Sequence, residues 1–182
     1  MKDIRTGTYA IDQAHSNVEF AVKHMMITTV KGRFGDVKGS VDIPESGQPK
    51  VDVTIAAATI DTRVEARDTH LRSPDFFDVE KYPTLRFVST GAERTGAGYR
   101  LTGDLTIRDV TRPVTLTVTD EGTGVDPWGN QKAAFAATGK INRADFGLTW
   151  NAALEAGGVL VGEDVKLAFD IQLVKQAAAI AA

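Results

Sequence analysis

Apolar and polar residues alternate with period two along most of this chain, and no other feature constrains its fold as strongly. Val18, Phe20, Val22 and His24 alternate with Glu19, Ala21 and Lys23. Leu101, Gly103, Leu105 and Ile107 alternate with Thr102, Asp104 and Thr106. The clearest run is the last: Val165, Leu167, Phe169, Ile171 and Leu173, with Lys166, Ala168, Asp170 and Gln172 between them. A period of two sends successive side chains to opposite faces. Each run therefore reads as a strand with one apolar and one polar face, as in antiparallel sheets. Eight or nine strands are expected, near 7–12, 17–25, 30–43, 51–60, 84–93, 98–108, 111–121, 131–143 and 163–174.

Turn-forming clusters such as Pro44–Pro49, Gly91–Gly98 and Asp126–Asn130 separate these runs, so most neighbours should be hairpins. No repeat or low-complexity linker divides the 182 residues, and a single domain over 1–182 is expected, with 177–182 a frayed alanine-rich tail. One stretch breaks the alternation. Thr62-Arg63-Val64-Glu65 has the form of a capping box, and Ser73-Pro74 of a second helix start. A short helical insertion over 62–80 is therefore expected. The fold class is all-β: an extended antiparallel barrel of about eight strands, because closure removes unpaired strand edges.

A barrel of that size either fills its interior with side chains or holds one small ligand. Small residues in inward phase (Gly39, Ala57, Gly103, Ala133, Ala137 and Gly139) alternate with large ones such as Phe20, Phe87, Leu105, Phe135 and Phe169. That pattern leaves room for an elongated apolar cavity. It equally fits strands that coil sharply.

Charge excludes more than it suggests. With 21 basic and 24 acidic residues and no block of one sign, the chain lacks the footprint of a nucleic-acid binder. No apolar stretch approaches the ~20 residues of a spanning helix, so an integral membrane protein is not expected. The opening residues have no apolar core of a signal peptide, and a cytoplasmic chain is expected. The absence of cysteine removes disulfides, thiolate metal sites and cysteine nucleophiles.

Few residues carry obvious chemistry. His15, His24 and His70 have no metal-ligand spacing, so no metal is expected. His15-Ser16 with Asp12 lacks a nucleophile elbow, and adjacent residues of an extended chain point to opposite faces. No catalytic residue is assigned. His24, in phase with Val18, Phe20 and Val22, is either a buried hydrogen-bonded histidine or a polar contact on a cavity wall. Arg67-Asp68-x-His70-Leu71-Arg72 is either a network pinning the helical segment or a set of donors for a polar head group. Of Phe76-Phe77, one ring is expected to plug the barrel end. Arg143 is either a surface partner of Asp145 or a second head-group contact.

Taken in order, Tyr9-x-Ile11-Asp12-x-x-His15-Ser16, Phe20-x-Val22-Lys23-His24-Met25 and Gly32-x-Phe34 resemble the YceI-like family, the lipocalin-like polyisoprenoid-binding proteins. The most specific stretch is Arg67-Asp68-x-His70-Leu71-Arg72-Ser73-x-Asp75-Phe76-Phe77-Asp78-x-x-Lys81-Tyr82-Pro83. Gly103-x-Leu105-Thr106-Ile107, Val110-Thr111-Arg112-Pro113-Val114 and Arg143-x-Asp145-Phe146-Gly147 complete it. Arg108 stands where the family often has glycine.

The resemblance implies a hydrophobic tunnel holding a long isoprenoid or isoprenoid-quinone-like amphiphile for transport or storage, no catalysis, no cofactor beyond the bound lipid, and a homodimer. Strand phase and motif position name the tunnel contacts: Val18, Phe20, Val22, His24, Phe34, Phe76, Phe77, Phe87, Leu101, Leu105, Phe135, Ile141, Phe146 and Phe169. Head-group contacts are placed at Arg67, His70 and Arg143. The competing expectation is an enzyme acting on a small lipid-like substrate in the same pocket, with His24 or His70 as general base.

Overall fold

The computed structural model describes residues 6–96, 98–154 and 158–177. Among them, eleven strands form one antiparallel sheet. They are β1 (Gly7–Ile11), β2 (Asn17–His24), β3 (Thr28–Phe34), β4 (Val37–Ile43), β5 (Lys50–Ala56), β6 (Ile60–Asp61), β7 (Thr84–Arg94), β8 (Gly98–Ile107), β9 (Val110–Val125), β10 (Gln131–Asn142) and β11 (Val161–Lys175). The order β1-β4-β5-β7-β8-β9-β10-β11 closes on itself because β11 also pairs with β1. The expected eight-stranded barrel is thus present, and β2, β3 and β6 extend one wall of it.

Three of the eight staves are broken in the middle. β11 pairs with β1 through Leu173↔Ile11 and with β2 through Asp170↔Asn17, so five residues, Asp12 to Ser16, stand opposite two. A single 3₁₀ turn, Gln13–His15, takes up the excess. Side chains replace the missing ladder: Gln172 N–H donates to Ser16 Oγ at 3.0 Å, and Gln172 Nε2 donates to the Asp12 carboxylate at 2.9 Å. The strand expected over 30–43 is β3 plus β4, parted at Gly35-Asp36. The strand expected over 51–60 is β5, a 3₁₀ turn (Ala57–Thr59) and β6. Thr59 Oγ1 spans both breaks. It accepts from the Gly35 and Asp36 amides at 3.1 and 3.3 Å and donates to Ala56 O at 2.6 Å.

The helical insertion is one helix, α1 (Glu65–Arg72), followed by turns. Its start differs from the expected capping box. Val64 is the cap residue and makes no side-chain cap bond. Buried Asp68 accepts instead from Thr62 N–H at 2.9 Å and Thr62 Oγ1 at 2.5 Å, folding the entry loop against the first turn. Ser73 ends the helix and donates its hydroxyl to His70 O at 2.8 Å; no second helix starts there. Beyond Ala177 the alanine-rich tail lies outside the described residues.

The core has two parts. Ile107, Ile141, Phe146 and Leu148 fill the barrel end covered by the α1 segment, together with Phe77 and Val79. Tyr9, Ile43, Ala133 and Leu173 form a smaller cluster toward the far end.

Candidate functional site

Between these clusters lies an apolar cavity of about 190 Å³. All eight strands of the closed ring contribute, through Ile11, Val37, Val53, Phe87, Leu101, Leu116, Phe135 and Phe169, and β2 adds Val18. Every lining side chain is hydrocarbon except Tyr99, whose ring carries the one hydroxyl. A cavity of this chemistry offers burial but no charge partner, so it suits an apolar ligand or segment.

Of the residues placed in the tunnel from sequence, Val18, Phe87, Leu101, Leu105, Phe135 and Phe169 line this cavity. The others lie elsewhere. Phe20, Phe34 and Phe77 form a chain of rings running toward the α1 segment, with centroids 5.8 and 5.9 Å apart. Ile141 and Phe146 are buried in the core beneath that segment. Phe76 packs 5.1 Å from His70 and 5.4 Å from Trp150. Val22 is half-buried between Val30 of β3 and Val165 of β11, and His24 ends β2 opposite Thr28.

None of the three head-group candidates reaches the cavity lining. Arg143 is buried, and its guanidinium donates to Gly162 O and Trp150 O at 2.9 Å, to Val161 O at 3.2 Å and to Leu148 O. Burial pushes its pKa below the ordinary arginine value. Asp145, its partner in one of the two alternatives, is not among these contacts. Arg67 donates to Thr62 Oγ1 and Thr62 O at 2.7 and 2.9 Å. His70 Nε2 lies 2.8 Å from the Asp75 carboxylate, with its ring edge-on to Trp150 at 4.6 Å. Arg67 ties α1 to its entry loop, His70 ties α1 to Asp75 and Trp150, and Arg143 ties the long loop after β10 to β11.

Sequence reasoning favoured aromatic rings and passed over the aliphatic part of the wall. Leu167 and Ile171 line the cavity in the phase of Phe169, and Ile11, Val41, Ile55 and Val114 line it from strands on which no contact was named. Phase alone would have found them. Of the six small inward residues, only Ala137 lines the cavity. A Cβ on Gly103 would stand 2.4 Å from the Phe87 ring, and one on Gly139 would stand 2.6 Å from Leu116. The room those glycines leave is taken by neighbouring side chains.

One ionic cluster sits on the outer wall at the β1–β2 break. Lys132 Nζ, Gln172 Nε2 and His15 Nδ1 lie 2.9, 2.9 and 3.0 Å from Asp12 Oδ2. The Lys132 ammonium, helped by Gln172 and His15, holds the Asp12 carboxyl far below the usual carboxylate range. Ser16 Oγ is bonded to the Gln172 backbone rather than to His15, so these residues do not form a nucleophile–base pair. Among the described residues no three histidine, aspartate or glutamate side chains gather to hold a metal, and no helix is long and apolar enough to cross a membrane.

Known proteins share this architecture. The fold is similar to Burkholderia cenocepacia BcnA, with TM-score 0.77 and 25% identity over 89% of this chain and 98% of that one. It is also similar to the Campylobacter jejuni YCEI protein, with TM-score 0.72 and 32% identity over 97% of this chain and all (100%) of that one. A polyisoprenoid binding domain from Saccharophagus degradans shares the fold at TM-score 0.70 and 13% identity, covering 94% of this chain and 100% of that domain. In sequence, a UPF0312 protein of Staphylococcus aureus (strain MSSA476) is 39% identical over 161 residues, which are 87% of this chain and 92% of the relative. With the YceI-like domain matched over residues 9–173, this chain belongs to the YceI-like family.

Proposed function

We propose that the chain binds a long isoprenoid or isoprenoid-quinone-like amphiphile, carrying or storing it without catalysing a reaction on it. One observation carries the reading: a closed barrel surrounds an apolar cavity of about 190 Å³ with no charged residue in its wall. Each buried methylene-sized group contributes about 0.8 kcal/mol, so affinity would grow with tail length until the cavity is full. The polyisoprenoid binding domain of the same fold supports a ligand of this class. Val18, Phe87, Leu101, Leu105, Phe135 and Phe169 are the tail contacts on this reading.

For Arg67, His70 or Arg143 to meet a head group, each must first release the partners described above. Their substitution is therefore expected to change stability before it changes binding. His24 and His70, the bases of the enzyme reading, stand outside the cavity wall, and no observation favours that reading. The cytoplasmic compartment and the homodimer belong to the same proposal.

The test is lipid extraction and native mass spectrometry of the purified protein, followed by titration with quinones and polyprenyl phosphates. A co-purifying amphiphile is expected. Protein that is repeatedly ligand-free and also rejects both ligand types would overturn the proposal. Ala137→Phe provides the control. Ala137 lines the cavity beside Phe169 of β11 and is 9% exposed, so a ring there fills empty volume. Uptake should be lost while the melting temperature stays equal or rises.

A further inference from the structure

Three consecutive apolar side chains project from the tip of the β2–β3 hairpin. Met25, Met26 and Ile27 are 40%, 62% and 74% exposed. The tip is ordered: Ile27 N–H donates to His24 O at 3.2 Å, and Met25 N–H donates to Leu160 O at 2.8 Å. Met25 and Met26 both have positive φ, 51° and 61°. A turn of that hand is the usual place for Asn-Gly, and methionine there is held in an unfavourable backbone region. The local chemistry of the turn therefore does not explain why these residues are apolar. Val159, 39% exposed and next to Leu160, widens the same patch.

Cations stand behind the tip. Lys23 faces Thr29 across the hairpin, and Lys31, Ala21, Lys166 and Lys140 form one outward row across β3, β2, β11 and β10. Among the described residues, the unpartnered carboxylates of this wall, Glu19 and Asp170, stand farther from the tip than the lysine row, and the acidic groups nearer the tip have partners. Asp164 lies 2.9 Å from Lys140, Glu163 accepts from Asn142 at 3.3 Å, and Arg33 lies 3.1 Å from Asp61. Lys23, Lys31 and Lys166 are exposed and, among the described residues, face no carboxylate within ion-pair distance. At ~3.3 Å per residue, Lys23 stands about 7 Å and the Lys31 row about 13 Å back from Met25. An apolar element resting in a lipid interface is buried about 5–10 Å. That depth brings the row within the ~8 Å over which charges attract in physiological salt.

We propose that the β2–β3 tip docks the protein on an anionic phospholipid surface, with Met25, Met26 and Ile27 entering the interface and Lys23, Lys31 and Lys166 meeting the head groups. The other exposed apolar tip does not have this arrangement. Val125 and Trp128 flank Asp126, and the nearby Lys132 is committed to Asp12 and Asp126. The docking is independent of what the cavity holds.

Sedimentation of the full chain with phosphatidylcholine vesicles, with and without phosphatidylglycerol, tests it. Binding is expected only with phosphatidylglycerol and should vanish near ~1 M salt, where the screening length is ~3 Å. Each of Lys23→Gln, Lys31→Gln and Lys166→Gln should weaken it about fivefold. The variant Met25→Asn, Met26→Gly, Ile27→Thr should lose it while keeping or raising the melting temperature, because Asn-Gly suits the turn. Trp128→Ala should bind like the parent. Absence of vesicle binding, indifference to phosphatidylglycerol or to salt, or equal binding by the tip variant overturns the proposal. So does a tip variant whose only change is a lower oligomeric mass, which would assign the patch to self-association.

Discussion

Gly103 lies under the Phe87 ring, with a substituent position 2.4 Å from Phe87 Cζ and 2.6 Å from Val88 O. One of these contacts is backbone and the other is a packed aromatic, so neither yields cheaply. Gly103→Ala is expected to cost about 1–3 kcal/mol, the range for overpacking a filled core. Urea unfolding measures this as a lower midpoint with unchanged slope. Because Phe87 also lines the cavity, the same variant should weaken ligand uptake. Gly39 differs, since a Cβ there meets the Asp52 carbonyl 2.4 Å away on the adjacent strand. From sequence both were simply small inward residues. Whether a small residue borders a void or a filled space depends on a ring carried by another strand, and alternation holds no information on that.

At the scale of elements, the three broken staves show what strand phase does reveal. Inward residues are odd-numbered in β1 (Tyr9, Ile11) and even in β2 (Val18, Phe20). They are even in β3 (Gly32, Phe34), odd in β4 (Val37, Val41), odd in β5 (Val51, Val53) and even in β6 (Ile60). Each break flips the parity, because inward residues on its two sides stand an odd number of positions apart in the chain: Ile11 and Val18, Phe34 and Val37, Ile55 and Ile60. The strands were legible because burial enforces the period. The breaks at Gly35-Asp36 and Ala57–Thr59 were overlooked although the parity change records them. The capping-box reading went astray for a different reason. Thr62 does bond a carboxylate, but the one that folds back to it is Asp68, chosen by tertiary burial rather than by local spacing.

The clamp at the first break gives a pH prediction. Asp12 has a folded-state pKa lowered from the ordinary 3.8, so ionised Asp12 stabilises the fold. That contribution is complete above the ordinary value and is lost as pH falls toward the depressed one. Asp12→Asn is expected to cost about 1–3 kcal/mol near neutrality, since it removes the nearer carboxylate of partly buried Lys132 and leaves only Asp126 at 3.7 Å. The gap between parent and variant should stay constant above about pH 5 and narrow steadily below it. Denaturant midpoints across an acid series measure this. A gap that widened in acid would contradict the assignment.

For the whole molecule, the seam between the two ends of the chain is the short one. β1 and β11 share three paired positions, Tyr9↔Lys175 to Ile11↔Leu173, whereas β10 and β11 share eleven, from Lys132↔Val174 to Asn142↔Asp164. Amide exchange in β1 is therefore expected to be faster than in β10 under native conditions, with protection of β1 rising when the cavity is filled. Uniform protection around the barrel would refute the idea of a weak seam. The barrel class and its closure follow from sequence periodicity. The interior volume does not, because it is set by how rings and aliphatic chains from different strands share the space.

The last strand among the described residues is the one that shuts the ring. β11 pairs with β10, β2 and β1, and Gln172 bonds Asp12 across 160 residues of chain. During synthesis every earlier stave leaves the ribosome with its apolar face lacking that partner. Closure must therefore wait until β11 has been made, and contacts this distant in sequence form slowly. The chain is expected to spend that interval as a client of whatever shields nascent apolar surface in the cell. A premature stop before β11 would yield a product fit for proteolysis, not a smaller working barrel.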